Sequence, residues 1–363
     1  MAISSLKPVE LFIRRTFLFL LRTFGGKRSK KNLEIPPSPS ILLLRQDRLG
    51  DVLMSTFVLE ALRKKYPNSR IALLLGKNNT GVIPLLPFEI EIYVYRKNFF
   101  RDLKMLRSVR RSKFDVALDL TDKASVTSSV LLTLIGATVR VGIEKENSVV
   151  YDITVPRPSQ TEVHITERVS ELLRPFDIDP SKIDKAPTLR LNVRRKGGLV
   201  GLNVSSRTAD RSAPPAASAE IAQGVLNMGF REVEVFAAPH DRFRGEETVR
   251  LANNDRIRLA PEVKTFAEFA EQVAGCEYLI TVDTSIIQIA AAARVPMVLM
   301  FKPMTDEHPW SPIGVPFEFH TQYPALSALE PEPVLALFKR LVERTSADAR
   351  LGRSFAAQPA DHS

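Results

Sequence analysis

From Ile41 onward two hydrophobic patterns alternate along the chain. Short unbroken apolar runs such as Ile41–Leu44 suit strands. Segments such as Met54, Phe57, Val58, Ala61 and Leu62 place apolar residues three and four apart, along one buried helical stripe. The pattern predicts strand Ile41–Leu44, helix Asp51–Lys65, strand Arg70–Leu75, a helix near Asn79–Leu86 and strand Glu91–Tyr95. A basic helix, Asn98–Arg111, then leads to strand Val116–Leu120, and a proline-rich stretch around a helix His164–Leu173 closes the first half.

Arg194-Arg195-Lys196-Gly197-Gly198 reads as a hinge, and the alternation restarts after it. Strands are predicted at Leu199–Val204, Glu232–Ala237, Arg256–Leu259, Tyr278–Val282 and Met297–Phe301. Helices are predicted near Ala216–Met228 and Arg242–Ala252, at Thr265–Ala274 and Ser285–Ala293, and at Pro331–Thr345. Strands alternating with helices imply an α/β fold of doubly wound parallel sheets, and two halves of similar size imply two Rossmann-like domains facing a cleft. The expected division is an arm and linker at 1–39, domains at 40–193 and 194–345, and a disordered tail at 346–363.

The bulk composition narrows the class. A chain of 363 residues has room for two domains of about 150 residues each. An apolar fraction of 44% and a charged fraction of 25% are those of a globular protein. A single cysteine, Cys276, excludes an internal disulfide and fits the reducing cytoplasm. The His residues are scattered, with no pair at helical ligand spacing, so no Cys–His metal site is expected.

The net charge of +10 is concentrated at the start of the chain, where residues 1–33 carry basic side chains from Lys7 to Lys31 against the single acid Glu10. Arg14, Arg15 and Arg22 interrupt the apolar material there, so no run approaches the ~20 residues of a spanning helix. No cleavage site of a secretory signal is present. The segment is either a disordered arm or an amphipathic contact to the anionic inner surface of a membrane. Nucleic acid is not an expected partner, because no recognition motif accompanies the charge.

Three turns hold candidate chemistry. The turn Arg45–Gly50 opens the first predicted helix, with Asp51 as its expected first residue, either a helix cap or a general base. In the second half, Asn203-Val-Ser-Ser-Arg-Thr-Ala-Asp-Arg211 offers Ser205 and Ser206 as hydroxyl donors, and Arg207 or Arg211 as a fork for phosphate oxygens; the alternative is a solvated loop. Asp283-Thr284-Ser285 stands at a strand-to-helix junction suited to a phosphate, or else Asp283 or Thr284 is simply an N-cap. If both loops lie at one sheet edge, they converge on one anion. Asp119 and Asp122 are read as caps of the next helix or, less readily, as metal ligands. The glycine fingerprints of dinucleotide and P-loop sites and the G-x-S-x-G elbow are absent, which disfavours a dehydrogenase.

Most of the stretch Ile41–Trp310 resembles the heptosyltransferase-type glycosyltransferases. The resemblance is carried by Arg45-x-Asp47-Arg48-Leu49-Gly50-Asp51-Val52, Phe114–Leu120, and His164 with Glu167-Arg168. It continues through Gly201-Leu-Asn203, Val282-Asp283-Thr284 and Ala290–Phe301, with Pro303 beyond. It implies a GT-B fold and metal-independent, inverting transfer from a nucleoside-diphosphate sugar to a lipopolysaccharide core or related glycan, without a cofactor. It also implies Asp51 as the base, with Arg48 and Gly50 on the acceptor side. Ser205, Ser206, Arg211, Asp283, Thr284 and Ser285 would then hold the donor. Where that family often has Asp-Thr-Gly and then His, this chain has Ser285 and Gln288. A binding protein of the same family without catalysis is the alternative.

Overall fold

The computed structural model describes residues 34–159, 162–302 and 311–350. The basic arm at 1–33, the tail from 351, and Pro303 through Trp310 lie outside the described residues. Close packing divides the chain into two compact units, 1–83 with 88–183 and 84–87 with 184–363.

The first unit begins with β1 (Ile41–Arg45), α1 (Leu49–Met54), α2 (Thr56–Lys65), β2 (Ile71–Gly76), β3 (Glu91–Tyr95), α3 (Phe99–Arg111) and β4 (Val116–Asp119). It continues with α4 (Val126–Ile135), β5 (Val139–Ile143), β6 (Ile153–Val155) and α5 (Ile165–Ser170). Its six strands are parallel, in the order β3-β2-β1-β4-β5-β6. Ile41, Leu42, Leu43 and Leu44 have no exposed surface. A central parallel strand covered on both faces has no polar face to alternate with, which is why it reads as a continuous apolar run.

The expected helix Asp51–Lys65 is two helices. Ser55 Oγ donates to the Asp51 carbonyl at 2.7 Å, and Thr56 Oγ1 donates to the Leu53 carbonyl at 2.7 Å. Hydroxyls bonded back into the preceding turn compete with the helical ladder and bend it. The expected helix near Asn79–Leu86 is a 3-10 segment, Lys77–Leu85, with Pro84 inside it. Helix His164–Leu173 is shortened to α5, followed by a 3-10 segment Glu171–Phe176.

Three elements of this unit escape the hydrophobic pattern. Helix α4 is rich in Val, Thr and Ser, poor helix formers, and is held by its ends. Ser125 accepts the Ser128 N–H at its start, and Gly136 at φ 76 closes it in the left-handed region. Strands β5 and β6 are short and carry Arg140 and Thr154 among their apolar residues.

The second unit begins with β7 (Leu199–Asn203), α6 (Pro215–Asn227), β8 (Glu232–Phe236), α7 (Arg242–Ala252), β9 (Ile257–Leu259) and α8 (Phe266–Gly275). It closes with β10 (Tyr278–Val282), α9 (Ile286–Ala292), β11 (Met297–Phe301), β12 (Phe317–Thr321) and α10 (Pro331–Arg350). Its parallel order, β12-β11-β10-β7-β8-β9, is that of the first sheet, with β7 and β10 in the places of β1 and β4. The edge strand β12 was not predicted. Helix α10 runs to Arg350, past the expected end at Thr345.

In both sheets the order in which the chain adds strands therefore reverses between two central strands, β1 and β4 or β7 and β10. Ligands of open α/β sheets bind beyond the carboxyl ends of the strands at such a switch point. Among the described residues no helix is long and apolar enough to cross a membrane.

Helix α10 is fastened to the second sheet by an aromatic cluster. The Phe338 ring lies 5.3 Å from Phe230 and 5.6 Å from Tyr278, and Phe338 is fully buried. Phe338→Ala is expected to destabilise this unit by about 3–5 kcal/mol through lost transfer energy and a residual cavity. Denaturant unfolding followed by circular dichroism measures it, and a loss under about 1 kcal/mol would show that α10 is not part of this core.

Candidate active site

The first switch point is built around Arg45, the last residue of β1, which is 1% exposed. Its Nε donates to the Asp51 carbonyl at 3.1 Å, and its Nη1 donates to the Leu120 carbonyl at 2.5 Å. The same Nη1 stands 3.2 Å from Asp47 Oδ2. One guanidinium thus joins both ends of the β1–α1 turn to the end of β4. Gly76 lets the turn pack closely, since a Cβ there would sit 2.5 Å from the Gln46 carbonyl oxygen.

Asp51 is the third residue of α1, not the first as expected; Arg48 is the N-cap and Gly50 the second residue. The Asp51 carboxylate accepts the Arg48 N–H at 3.2 Å. The capping role is therefore present. One such bond leaves the other carboxylate lone pairs available, so capping and proton acceptance are compatible. Asp51 is buried at 7% exposure, whereas Arg48 is exposed.

Asp47 was missed as a chemical group by the sequence reading. Its carboxyl is pushed up to about 6. Burial against the turn is the main cause; Arg45 opposes it, and the charge and hydrogen bond of Asp51 add to it. Solvent reaches 34% of the side chain, which screens the effect without reversing it. The two carboxyl groups are in contact, so the candidate base has an acidic neighbour four residues earlier whose own proton is held more tightly than usual. The spacing alone carries no signal of this, because the turn brings the two together.

Asp119 and Asp122 are neither helix caps nor metal ligands. Asp119, at the end of β4, accepts the Tyr151 hydroxyl at 2.6 Å and the Thr121 hydroxyl at 2.8 Å, with Lys145 Nζ at 3.4 Å. The Tyr151 ring lies over Gly142, where a Cβ would approach within 2.4 Å. Burial lowers the Lys145 ammonium against the pull of Asp119, and burial followed by the Asp119 charge raises the Tyr151 phenol. Asp122 receives the Arg168 fork at 3.2 Å through both Nε and Nη2. Helix α4 takes its cap from Ser125 instead. Among the described residues no three His, Cys, Asp or Glu side chains cluster as a metal would require.

In the second unit the loops after β7 and β10 do converge. Asn203 ends β7 beside Thr281, and its Nδ2 donates to Thr281 Oγ1 at 3.0 Å and Thr284 Oγ1 at 3.5 Å. Arg211 Nη1 reaches Asp283 Oδ2 at 3.4 Å, while Arg207 is exposed. Ser205 and Ser206 are buried and brace the loop. Ser205 Oγ accepts the Ala238 N–H at 2.6 Å, and the Ser206 N–H donates to Ser212 Oγ at 2.9 Å. Lys302, at the end of β11 and not singled out in the sequence, pairs with Asp210.

The N-cap of α9 is Ser285, not Asp283 or Thr284, although Thr284 Oγ1 accepts the Ile286 N–H at 3.4 Å. Ser285 has φ −61, which any residue adopts, so the backbone here does not require glycine. Gln288 is buried on α9. Asp51, Arg48 and Gly50 belong to the first unit, and all six candidate donor residues belong to the second.

Two doubly wound parallel sheets, with charged turns at both switch points, define a GT-B fold of glycosyltransferase type. The family model for glycosyltransferase family 9 (heptosyltransferase) matches residues 103–320, and the chain belongs to this family. It is a heptosyltransferase-type glycosyltransferase. Lipopolysaccharide heptosyltransferase 3 of Escherichia coli is 24% identical over 300 residues, covering 72% of this chain and 83% of that protein. The crystal structure of a glycosyl transferase family 9 protein from Veillonella parvula superposes with TM-score 0.72 at 17% identity, covering 86% of this chain and all of the other. ADP-heptose lipopolysaccharide heptosyltransferase II of E. coli gives TM-score 0.66 at 18% identity, covering 85% of this chain and 99% of that one.

The carboxylate pair predicts a pH signature. The Asp47 pKa in the folded chain lies above its ordinary 3.8, so folding takes up a proton between about pH 4 and 6. The stability contributed by this group falls as pH rises through that window and stays low above it. The melting temperature of Asp47→Asn minus that of wild type should therefore be larger at about pH 7.5 than at about pH 4.5. A difference that does not change with pH would remove Asp47 from the pair.

Proposed function

We propose that this chain transfers a heptose or similar sugar from a nucleoside-diphosphate donor to a lipopolysaccharide core or related glycan, with inversion and without a metal. The observation that carries the reading is the division of charge between the two switch points. A buried carboxylate, Asp51, with Asp47 beside it stands at the first, and a partly exposed guanidinium beside hydroxyls and backbone donors stands at the second. The names of the relatives fit this donor and acceptor, since one solved structure is an ADP-heptose lipopolysaccharide heptosyltransferase.

In the proposed reaction the acceptor hydroxyl oxygen attacks the anomeric carbon from the face opposite the diphosphate. The anomeric C–O bond to phosphate breaks, and its electron pair leaves with the diphosphate. Asp51 takes the hydroxyl proton as the new bond forms, the work of a general base. Its backbone carbonyl is pinned by Arg45, so the carboxylate is positioned before substrate arrives.

Arg211 neutralises the leaving diphosphate as fixed positive charge. Its contact with Asp283 is long at 3.4 Å, and the two side chains are 39% and 29% exposed. Such a pair is weak, so exchanging Asp283 for a diphosphate costs little. Asp283 and Thr284 would then face the donor sugar, and the braced loop with Ser205 and Ser206 would keep its backbone donors fixed. The first unit serves the acceptor and the second the donor.

Asp51→Asn should keep donor binding in a thermal-shift assay with nucleoside diphosphates and lose about 10²–10⁴ in turnover. Full turnover in that variant would remove Asp51 as the base, and wild type inert across a donor and acceptor panel would overturn the enzymatic reading. Arg211→Ala should lower kcat/KM about 10²–10³-fold and weaken nucleoside-diphosphate binding, measured by product release and by calorimetry. Unchanged binding would assign the diphosphate to other residues.

A further inference from the structure

We propose that the start and outer face of α3 form a docking surface for an anionic lipid bilayer. Phe99 and Phe100, the first two residues of α3, are 74% and 79% exposed. Isolated exposed apolar residues are ordinary, but two adjacent aromatics at a helix tip form a patch that water disfavours. Between Arg96 and Lys113 there are eight Lys and Arg residues and one acid, Asp102. All eight are exposed, and among the described residues none is ion-paired. Asp102 is buried and turned inward, so it does not offset the charge outside.

The patch is held in shape. Asp102 accepts the Arg96 N–H and the Asn98 N–H, each at 2.8 Å, and the Asn98 side chain caps Arg101 at 3.1 Å. Lys97 takes φ 55 to make the turn. The aromatic pair is thus presented by a braced corner.

Charge and shape together select the partner. A basic helix with aromatic residues at one end fits the interface of an anionic bilayer, where cations meet headgroups and rings enter the acyl boundary. Single-stranded nucleic acid also binds basic aromatic surfaces, but by stacking bases on open ring faces. Here the two rings pack edge to face, with centroids 5.4 Å apart and planes at 81°, so they form a wedge instead of a platform.

The position matters as well. The wedge follows the carboxyl end of β3, and the Asp51 turn follows the carboxyl end of β1, two strands away in the same parallel sheet. Both lie at one edge, with the strands about 10 Å apart. A bilayer engaged by Phe99 and Phe100 would present a lipid-linked acceptor on the side of the sheet that carries the candidate base. That use rests on the proposed acceptor; the lipid contact does not.

The test is co-sedimentation of the full chain with phosphatidylcholine vesicles, with and without phosphatidylglycerol, in the absence of any sugar donor. We expect binding to the anionic vesicles that weakens with salt. It should fall at least about tenfold in Phe99→Ser/Phe100→Ser and in Lys104→Glu/Arg107→Glu/Arg111→Glu. Equal melting temperatures would confirm that these exposed substitutions leave the fold intact. In Phe99→Trp, the added indole should shift its emission to the blue when anionic vesicles are mixed in. Vesicle binding unchanged in both multiple variants would overturn the inference, because residues outside α3 would then carry it. Absence of binding to anionic vesicles, or tighter binding to single-stranded RNA than to vesicles, would overturn it too. None of these readouts depends on turnover, so a failed transferase assay and a failed lipid contact are told apart.

Discussion

The buried guanidinium of Arg45 is the interaction on which the first unit's site depends. A cation 1% exposed is costly to bury unless its donors are satisfied. Here they meet the Asp51 and Leu120 carbonyls and the Asp47 carboxylate. These three partners belong to the two connections that diverge at the switch point, so Arg45 closes the crevice that the strand order opens. The same charge lets two carboxylates share one small turn. Without it, Asp47 and Asp51 would repel across the turn with no cation between the strand end and the helix start to offset them.

The layer around β4 follows the same logic with different residues. Asp119 is neutralised by Lys145 and bonded by Tyr151 and Thr121, and Asp122 by Arg168. These groups support the end of β4, which in turn holds Arg45. In the second unit the balance is reversed: the pair Arg211–Asp283 is long and partly exposed, suited to being opened by an anion. A site fastened by buried hydrogen bonds in the first unit and a long, partly exposed ion pair in the second are consistent with the proposed transfer, in which the diphosphate leaves and the base must already be in place.

Much of this was readable along the chain, for reasons that can be named. Strands β1, β7 and β10 are buried on both faces, so each announces itself as an apolar run. Helices α6 and α8 combine an apolar stripe with recognisable ends, Pro215 at the start of one and the Thr265–Glu268 capping box of the other. Helix α4 gave no such pattern, because Ser128 and Ser129 occupy its buried face beside Leu131, Leu132 and Ile135. Strands β6 and β12 owe their conformation to a neighbouring strand more than to their own residues. The break at Ser55 depends on two hydroxyl rotamers, which a periodicity count does not contain.

The sequence by itself determined that two doubly wound sheets would form, and it placed Asp51, Arg211 and Asp283 at the carboxyl ends of strands. It could do so because alternating burial and helical period are local properties of the chain. Tertiary structure alone decided which of these groups act on one another. It brought Asp47 against Asp51, chose Arg211 over Arg207 as the partner of Asp283, and turned Asp119 and Asp122 inward to Lys145 and Arg168. It also left Phe99 and Phe100 in solvent where the helical pattern offered no reason for it. Charge, proximity and dielectric are properties of places in the fold. A linear pattern names the groups; only packing sets the distances and the water that give them chemistry.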